Sequence, residues 1–110
     1  MSDASEPSIV VDAWAVADGA QGEFLAALTA MLDRLSGFEG FEEGAIYEGA
    51  NRTRFVSFAR LRSARDREAA FLDAEIQSMM RQIGGIARLS PHVYSLVRQF
   101  GSPDPQRSSG

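Results

Sequence analysis

The spacing of apolar residues changes repeatedly along the chain, and each change marks an element. Ile9 to Ala17 alternates with a period of two, which predicts a strand. Ile9, Val11, Ala13 and Ala15 fall on one face of it, and Val10, Asp12, Trp14 and Val16 on the other. Asp18-Gly19 breaks that strand. From Gln21 to Ser36 the period becomes helical. Phe24, Leu28, Met31, Leu32 and Leu35 form one stripe, with Glu23, Asp33 and Arg34 off it. Gly37 suits the position just past the helix end. Phe41 to Glu48 reads as a weaker strand interrupted by Gly44, and Gly49-Ala50-Asn51-Arg52 as a turn. Arg54 to Leu61 is the clearest strand, with Phe55, Ser57, Ala59 and Leu61 on one face and Val56, Phe58 and Arg60 on the other. Ser63 followed by Asp66 has the form of a helix start. The helical pattern runs to about Leu72 and, after a break, to about Ile83, where Gly84-Gly85 stops it. Ile86 to Pro91 reads as a connection and His92 to Phe100 as a last alternating strand.

The order β-α-β-β-α-β predicts an α+β fold of the ferredoxin-like, split β-α-β kind: a four-stranded antiparallel sheet with helices on one face. Both strand faces carry large apolar side chains, Phe58 and Trp14 among them. One layer of helices cannot cover both faces, and soluble monomers avoid large exposed apolar patches. The expectation is a homodimer with sheets packed face to face. Its interior would hold Arg60, which needs a carboxylate there, and Asp12 is the partner expected.

Composition narrows the chemistry. The 110 residues are 45% hydrophobic and 24% charged, enough for one core and no second domain. That domain is expected over 9–100, between a flexible leader at 1–8 and a disordered tail at 101–110. There is no Cys, every basic residue is Arg, and His92 is the single His. Thiolate chemistry, Schiff bases and multi-histidine metal sites within one chain are therefore excluded. No haem, flavin or tightly bound metal is expected, so the reading carries no cofactor. The net charge of −4 argues against nucleic acid. No apolar run approaches a membrane span, so the reading is a soluble, cytoplasmic protein with no membrane partner.

Three features resemble the antibiotic biosynthesis monooxygenase-like, dimeric α+β barrel proteins. They are the strand ending in Ala17-Asp18-Gly19, the helix closed by Gly37-Phe38-Glu39-Gly40-Phe41, and the strand Arg54–Leu61 running straight into a Ser-capped helix. The resemblance covers Ile9 to Phe100. It implies a dimeric barrel and a substrate cavity between sheet and helices. The family includes cofactor-independent, quinone-forming monooxygenases of aromatic polyketide pathways, haem-degrading enzymes and polyketide cyclases. In the quinone-forming members the third strand carries an Asn and, four residues on, a Trp. Those positions here are Ser57 and Leu61. In the haem-degrading branch the iron-binding His lies on the helical half, whereas His92 opens the last strand. The implied ligand is a small aromatic molecule, and the implied activities are oxygenation or cyclisation, with a non-catalytic binding protein as the third possibility.

The candidate residues follow. Ser57 and Ala59 are small and stand between Phe55 and Leu61, which would hollow a cavity with Ser57 as a hydrogen-bonding floor; Phe71 or Met79 filling that space is the competing reading. His92 is the candidate general base, against an exposed strand-start His. Arg81 is the candidate for stabilising an enolate, against a solvated helix Arg. Tyr47 and Tyr94 would orient a phenolic substrate or form an amphipathic rim. Trp14 is a cavity wall or, with more weight, an interface anchor. The acidic run Glu39, Glu42, Glu43 and Glu48 reads as a solvated rim rather than a metal site.

Overall fold

The computed structural model describes residues 6–101, with only the backbone of 90–92. The expected tail beyond Gly101, and most of the expected leader, lie outside the described residues. The order is β1 (Ser8–Val16), α1 (Gln21–Leu35), β2 (Phe41–Glu48), β3 (Arg54–Leu61), α2 (Ala64–Phe71), α3 (Ala74–Gly84) and β4 (Ala87–Ser95). The four strands form one antiparallel sheet in the order β2-β3-β1-β4. The α+β, ferredoxin-like arrangement expected from the pattern is the one adopted.

Two boundaries differ. The last strand spans Ala87 to Ser95 instead of His92 to Phe100. Its pairing with β1 runs from Val16↔Ala87 to Ser8↔Ser95, so the supposed connection Ile86–Pro91 is mostly strand. Pro91 disguised it, and it is tolerated because β4 is an edge strand. At the front, β1 begins at Ser8, whose hydroxyl accepts from Arg67 Nε at 2.8 Å.

The helices cover one face of the sheet. α1 buries Phe24, Leu28, Met31 and Leu35 against it, and α3 buries Ile76 and Ile83. Toward them the sheet presents Trp14 and Val16 from β1 and Phe55, Ala59 and Leu61 from β3. Trp14 is therefore a core residue, 1% exposed, and does not share the open face with Phe58. Its ring meets Phe24 edge-on at 5.3 Å, and Phe24 meets Phe55 at 5.0 Å.

The open face carries Ile9, Val11, Ala13 and Ala15 of β1 beside Arg54, Val56, Phe58 and Arg60 of β3. Arg60 pairs there with Glu42 and Glu43, each at 3.2 Å, and not with Asp12, which points to the helices. A register shift between Phe41 and Glu43 brings the two glutamates to the same arginine. The contact from Arg60 Nε to Glu42 is close enough for an ion pair but too bent for a hydrogen bond.

The turns obey local chemistry. Gly40 has φ of +91°, and a Cβ there would lie 2.5 Å from the Asp66 carboxyl carbon, so the Gly-Phe-x-Gly-Phe turn requires glycine at its fourth position. Ser63 caps α2 by accepting from Asp66 N–H. The break after Leu72 is real: Asp73 caps a new helix by accepting from Ile76 N–H at 2.9 Å and also takes a two-pronged contact from Arg34.

Two of these surface carboxylates set an acid limit on stability. The hydrogen bond from Arg62 holds Asp66 below its ordinary value, and the hydrogen bond from Arg34, followed by that from Ile76 N–H, does the same for Asp73. A carboxyl depressed in the folded state contributes fully above the unfolded value of about 4 and loses that contribution as pH falls through the lower folded value. The melting temperature should therefore fall steeply below about pH 4. The double variant Asp66→Asn, Asp73→Asn keeps both caps but should show a flatter acid limb in calorimetry.

Candidate functional site

Alternation along β1 and β3 puts two polar residues on the helix-facing side of the sheet. Asp12 is 6% exposed and Ser57 4% exposed, and they stand directly opposite each other in the β1–β3 register. Opposed Cβ atoms lie about 5 Å apart in such a pair. Trp14 Nε1 donates to Ser57 Oγ at 2.9 Å. The indole occupies an acceptor lone pair of the hydroxyl, which keeps its own hydrogen to donate. Around these groups the surroundings are apolar.

A void adjoins this pair, bounded by Asp12, Ser57 and Ala59 from the sheet and by Met31, Leu35 and Phe71 from the helices. Its volume is about 10 Å³, room for about one water molecule. The open cavity expected beside Ser57 and Ala59 is thus closed by helix side chains, with Phe71 among them. Leu32 lines this void and also an outer cleft of about 300 Å³ between α1 and β2, whose other walls include Thr29, Phe41 and Ile46.

The other candidates disperse. Phe55 and Leu61 are core residues flanking Ser57 and Ala59 on β3, and Trp14 joins them. Tyr47 and Tyr94 lie on the opposite, open face, 61% and 49% exposed, paired in register with Val56 and Ile9. Arg81 is exposed in the last turn of α3 and does not enter the interior. The His92 side chain lies outside the described residues; its backbone pairs with Val11 of β1. Asp12 is the residue that the sequence reading assigned elsewhere. The signal was present, since Asp12 alternates with Trp14 and Val16, but which strand face the helices would cover was not. Among the described residues, no group of three or more His, Cys, Asp or Glu could hold a metal ion, and no helix is long and apolar enough to cross a membrane.

No family profile matches the sequence, and no curated protein sequence does. Solved structures match the fold closely. SnoaB of Streptomyces nogalater, a cofactor-independent oxygenase, superposes as a point mutant with a TM-score of 0.81 at 14% identity, over 90% of this chain and 99% of its own. Rv0793 of Mycobacterium tuberculosis gives 0.77 at 20% identity over 86% and 99%. A candidate antibiotic biosynthesis monooxygenase of Nitrosomonas europaea gives 0.76 at 14% identity over 92% and 100%. The resemblance drawn from the turn and strand motifs is matched by these structures at the level of the fold.

Two substitutions measure how tightly the site is packed. Ser57→Ala leaves the buried Trp14 N–H without its acceptor and should cost about 1–3 kcal/mol. Ala59→Phe forces a ring into a space far smaller than itself and should cost about 1–3 kcal/mol by overpacking. Urea unfolding followed by fluorescence of Trp14, the only Trp, reads both.

Proposed function

We propose that this protein is a small enzyme that oxygenates an electron-rich aromatic molecule without a cofactor, in the layer between sheet and helices. The observation that carries this reading is the juxtaposition of the Asp12 carboxylate and the Ser57 hydroxyl in an otherwise apolar interior. The reaction asks little of the protein. A base removes a proton from a phenol or from an acidic methylene next to the ring, and the resulting anion reduces molecular oxygen by one electron. Recombination of radical and superoxide forms a carbon–oxygen bond, protonation gives a hydroperoxide, and loss of water leaves the carbonyl of a quinone. Asp12 is the proposed base and Ser57 the donor that orients the substrate oxygen. Exclusion of water strengthens both contacts. Entry requires Leu32 and Phe71 to turn aside, which the cleft beside Leu32 allows. The fold shared with SnoaB, itself a cofactor-independent oxygenase, supports the same kind of chemistry. An aromatic polyketide is the substrate class proposed.

The filled interior favours a second reading, a non-catalytic binding protein. A cyclase using the same residues is a third. Oxygen uptake separates them. With an anthrone offered and no cofactor added, the native protein should consume one oxygen per quinone formed, and Asp12→Asn should lose at least 100-fold in rate, the low end of what a general base contributes. Consumption of the anthrone without oxygen uptake marks a cyclase or isomerase. No turnover across a panel of polyphenols leaves the binding protein.

A homodimer is part of the proposal. Val56 and Phe58 on the open face, with exposed Leu96, Val97 and Phe100 just beyond β4, present apolar surface that a second copy would cover. Sedimentation at micromolar concentration should give twice 11.9 kDa, and Phe58→Glu should give the monomer mass. A native protein that sediments as a monomer overturns this part.

A further inference from the structure

The helix-facing side of β2 carries a second feature, away from the open face. Phe41, Gly44 and Ile46 oppose Leu61, Ala59 and Ser57 of β3, which point to the helices, so they share that side. With α1 they bound the outer cleft of about 300 Å³, at the low end for a small-molecule site. A second copy packed on the open face lies across the sheet from it. A Cβ at Gly44 would lie 3.0 Å from Phe41 Cζ, so glycine there lets the Phe41 ring lie across β2. That ring, Leu32 and Ile46 are half-buried and give the cleft apolar walls.

The α1 wall is polar. Thr29, Asp33 and Ser36 are spaced four and three apart, which sets them in one exposed row along the helix. Ser36 Oγ donates to the Asp33 carbonyl at 2.7 Å and keeps its lone pairs to accept. The Asp33 carboxylate takes part in no ion pair among the described residues, whereas Glu42, Glu43 and Glu48 of β2 each meet an arginine. Arg34, next to Asp33 in the chain, is held by Asp73. Among the described residues, none that lines the cleft is basic. The cleft is therefore apolar on one side and rich in acceptors on the other. It suits an aromatic ring whose hydroxyl donates, and it repels an anion.

We propose that this cleft is a recognition subsite for a neutral polyphenol, which lays one ring against Phe41 and Ile46 and donates a phenolic O–H to Asp33. An O–H donated to a carboxylate is among the stronger hydrogen bonds, and the Phe41 ring offers an aromatic partner. A carboxylate on the same ring would face Asp33 and be refused. Calling the occupant a substrate rests on the oxygenase reading, since Leu32 lines both the cleft and the void beside Asp12 and Ser57. The binding itself does not rest on it. On that reading the substrate is at least two rings long, hydroxylated at its outer end and without a carboxylate there.

The probe is 2,7-dihydroxynaphthalene, titrated calorimetrically into the full chain at low salt. The controls are 6-hydroxy-2-naphthoate, which adds a carboxylate, and cyclohexane-1,3-diol, which lacks the aromatic ring. One 2,7-dihydroxynaphthalene should bind per chain, at least ten times more tightly than either control. Asp33→Asn should weaken it at least fivefold and narrow its advantage over 6-hydroxy-2-naphthoate. Thr29→Phe, which fills the cleft from its rim, should also weaken it at least fivefold. Both positions are exposed, so neither change should lower the melting temperature. Glu23→Gln, an exposed change on the same helix outside the cleft, should have no effect. The proposal is overturned by unsaturable binding, by either control binding as tightly as the probe, by unchanged affinity in Asp33→Asn, or by an equal loss in Glu23→Gln. Saturable binding of the probe with no oxygen uptake from any polyphenol supports the subsite and removes the oxygenase. Oxygen uptake from a dihydroxyanthrone with the same KM in Asp33→Asn removes the subsite and leaves the oxygenase.

Discussion

Trp14 can lie at the centre of the core only because Ser57 accepts its indole N–H. A buried N–H without an acceptor costs as much as several apolar contacts return. The bond runs between the two central strands and is compatible with one register, in which Trp14 opposes Phe55 and Asp12 opposes Ser57. With the indole in place, Phe24 of α1 has an edge to pack on and Phe55 a ring to lean against. The helix layer is built outward from that stack. A slip of β1 by one residue would move Trp14 to the open face and expose the whole set at once.

The same alternation carries Asp12 inward. Its carboxylate stands among Met31, Leu35 and Phe71, where an apolar side chain would be the ordinary filling. A buried acid opposite a hydroxyl is a juxtaposition that chemistry can use, and that is the basis for reading the pair as a site. The tightness of the surrounding packing pulls the other way. A site that must open by moving Leu32 and Phe71 exchanges packing for access.

The two faces of the sheet divide the charge as well as the apolar surface. Toward the helices Asp12 is the buried acid of the described sheet residues, with Glu48 on the same face at the exposed edge. On the open face Arg60 is neutralised by glutamates from a bulged edge strand, while Arg54 and Arg88 stand at the far end. Helix starts are secured separately: Ser63 caps α2 while Asp66 holds Arg62, and Asp73 both caps α3 and holds Arg34 with one carboxylate. Local order in the α2–α3 region therefore depends on charge, whereas the sheet depends on burial.

The element order, the sheet class, the break between α2 and α3 and the inward placement of Phe55, Ser57, Ala59 and Leu61 were all legible in the sequence, because period and capping are local properties of the chain. The glycine turn before β2 was legible for the same reason. The sequence did not reveal which face of β1 the helices would cover. Both faces are apolar enough, and Trp14 and Asp12 were assigned to the wrong side together. Nor did it reveal that β4 runs through Pro91, since a proline reads as a boundary until an edge strand is known to tolerate it. The partner of Arg60 depended on a bulge that brings Glu42 and Glu43 to one side, and the closure of the Ser57 void on how side chains from three elements fill it. The row of β3, β1 and β4 residues formed by Arg54, Ala15 and Arg88 joins residues far apart in the chain. Only the pairing of three strands brings them together, because register is decided by the packing of the whole sheet and not by any one strand.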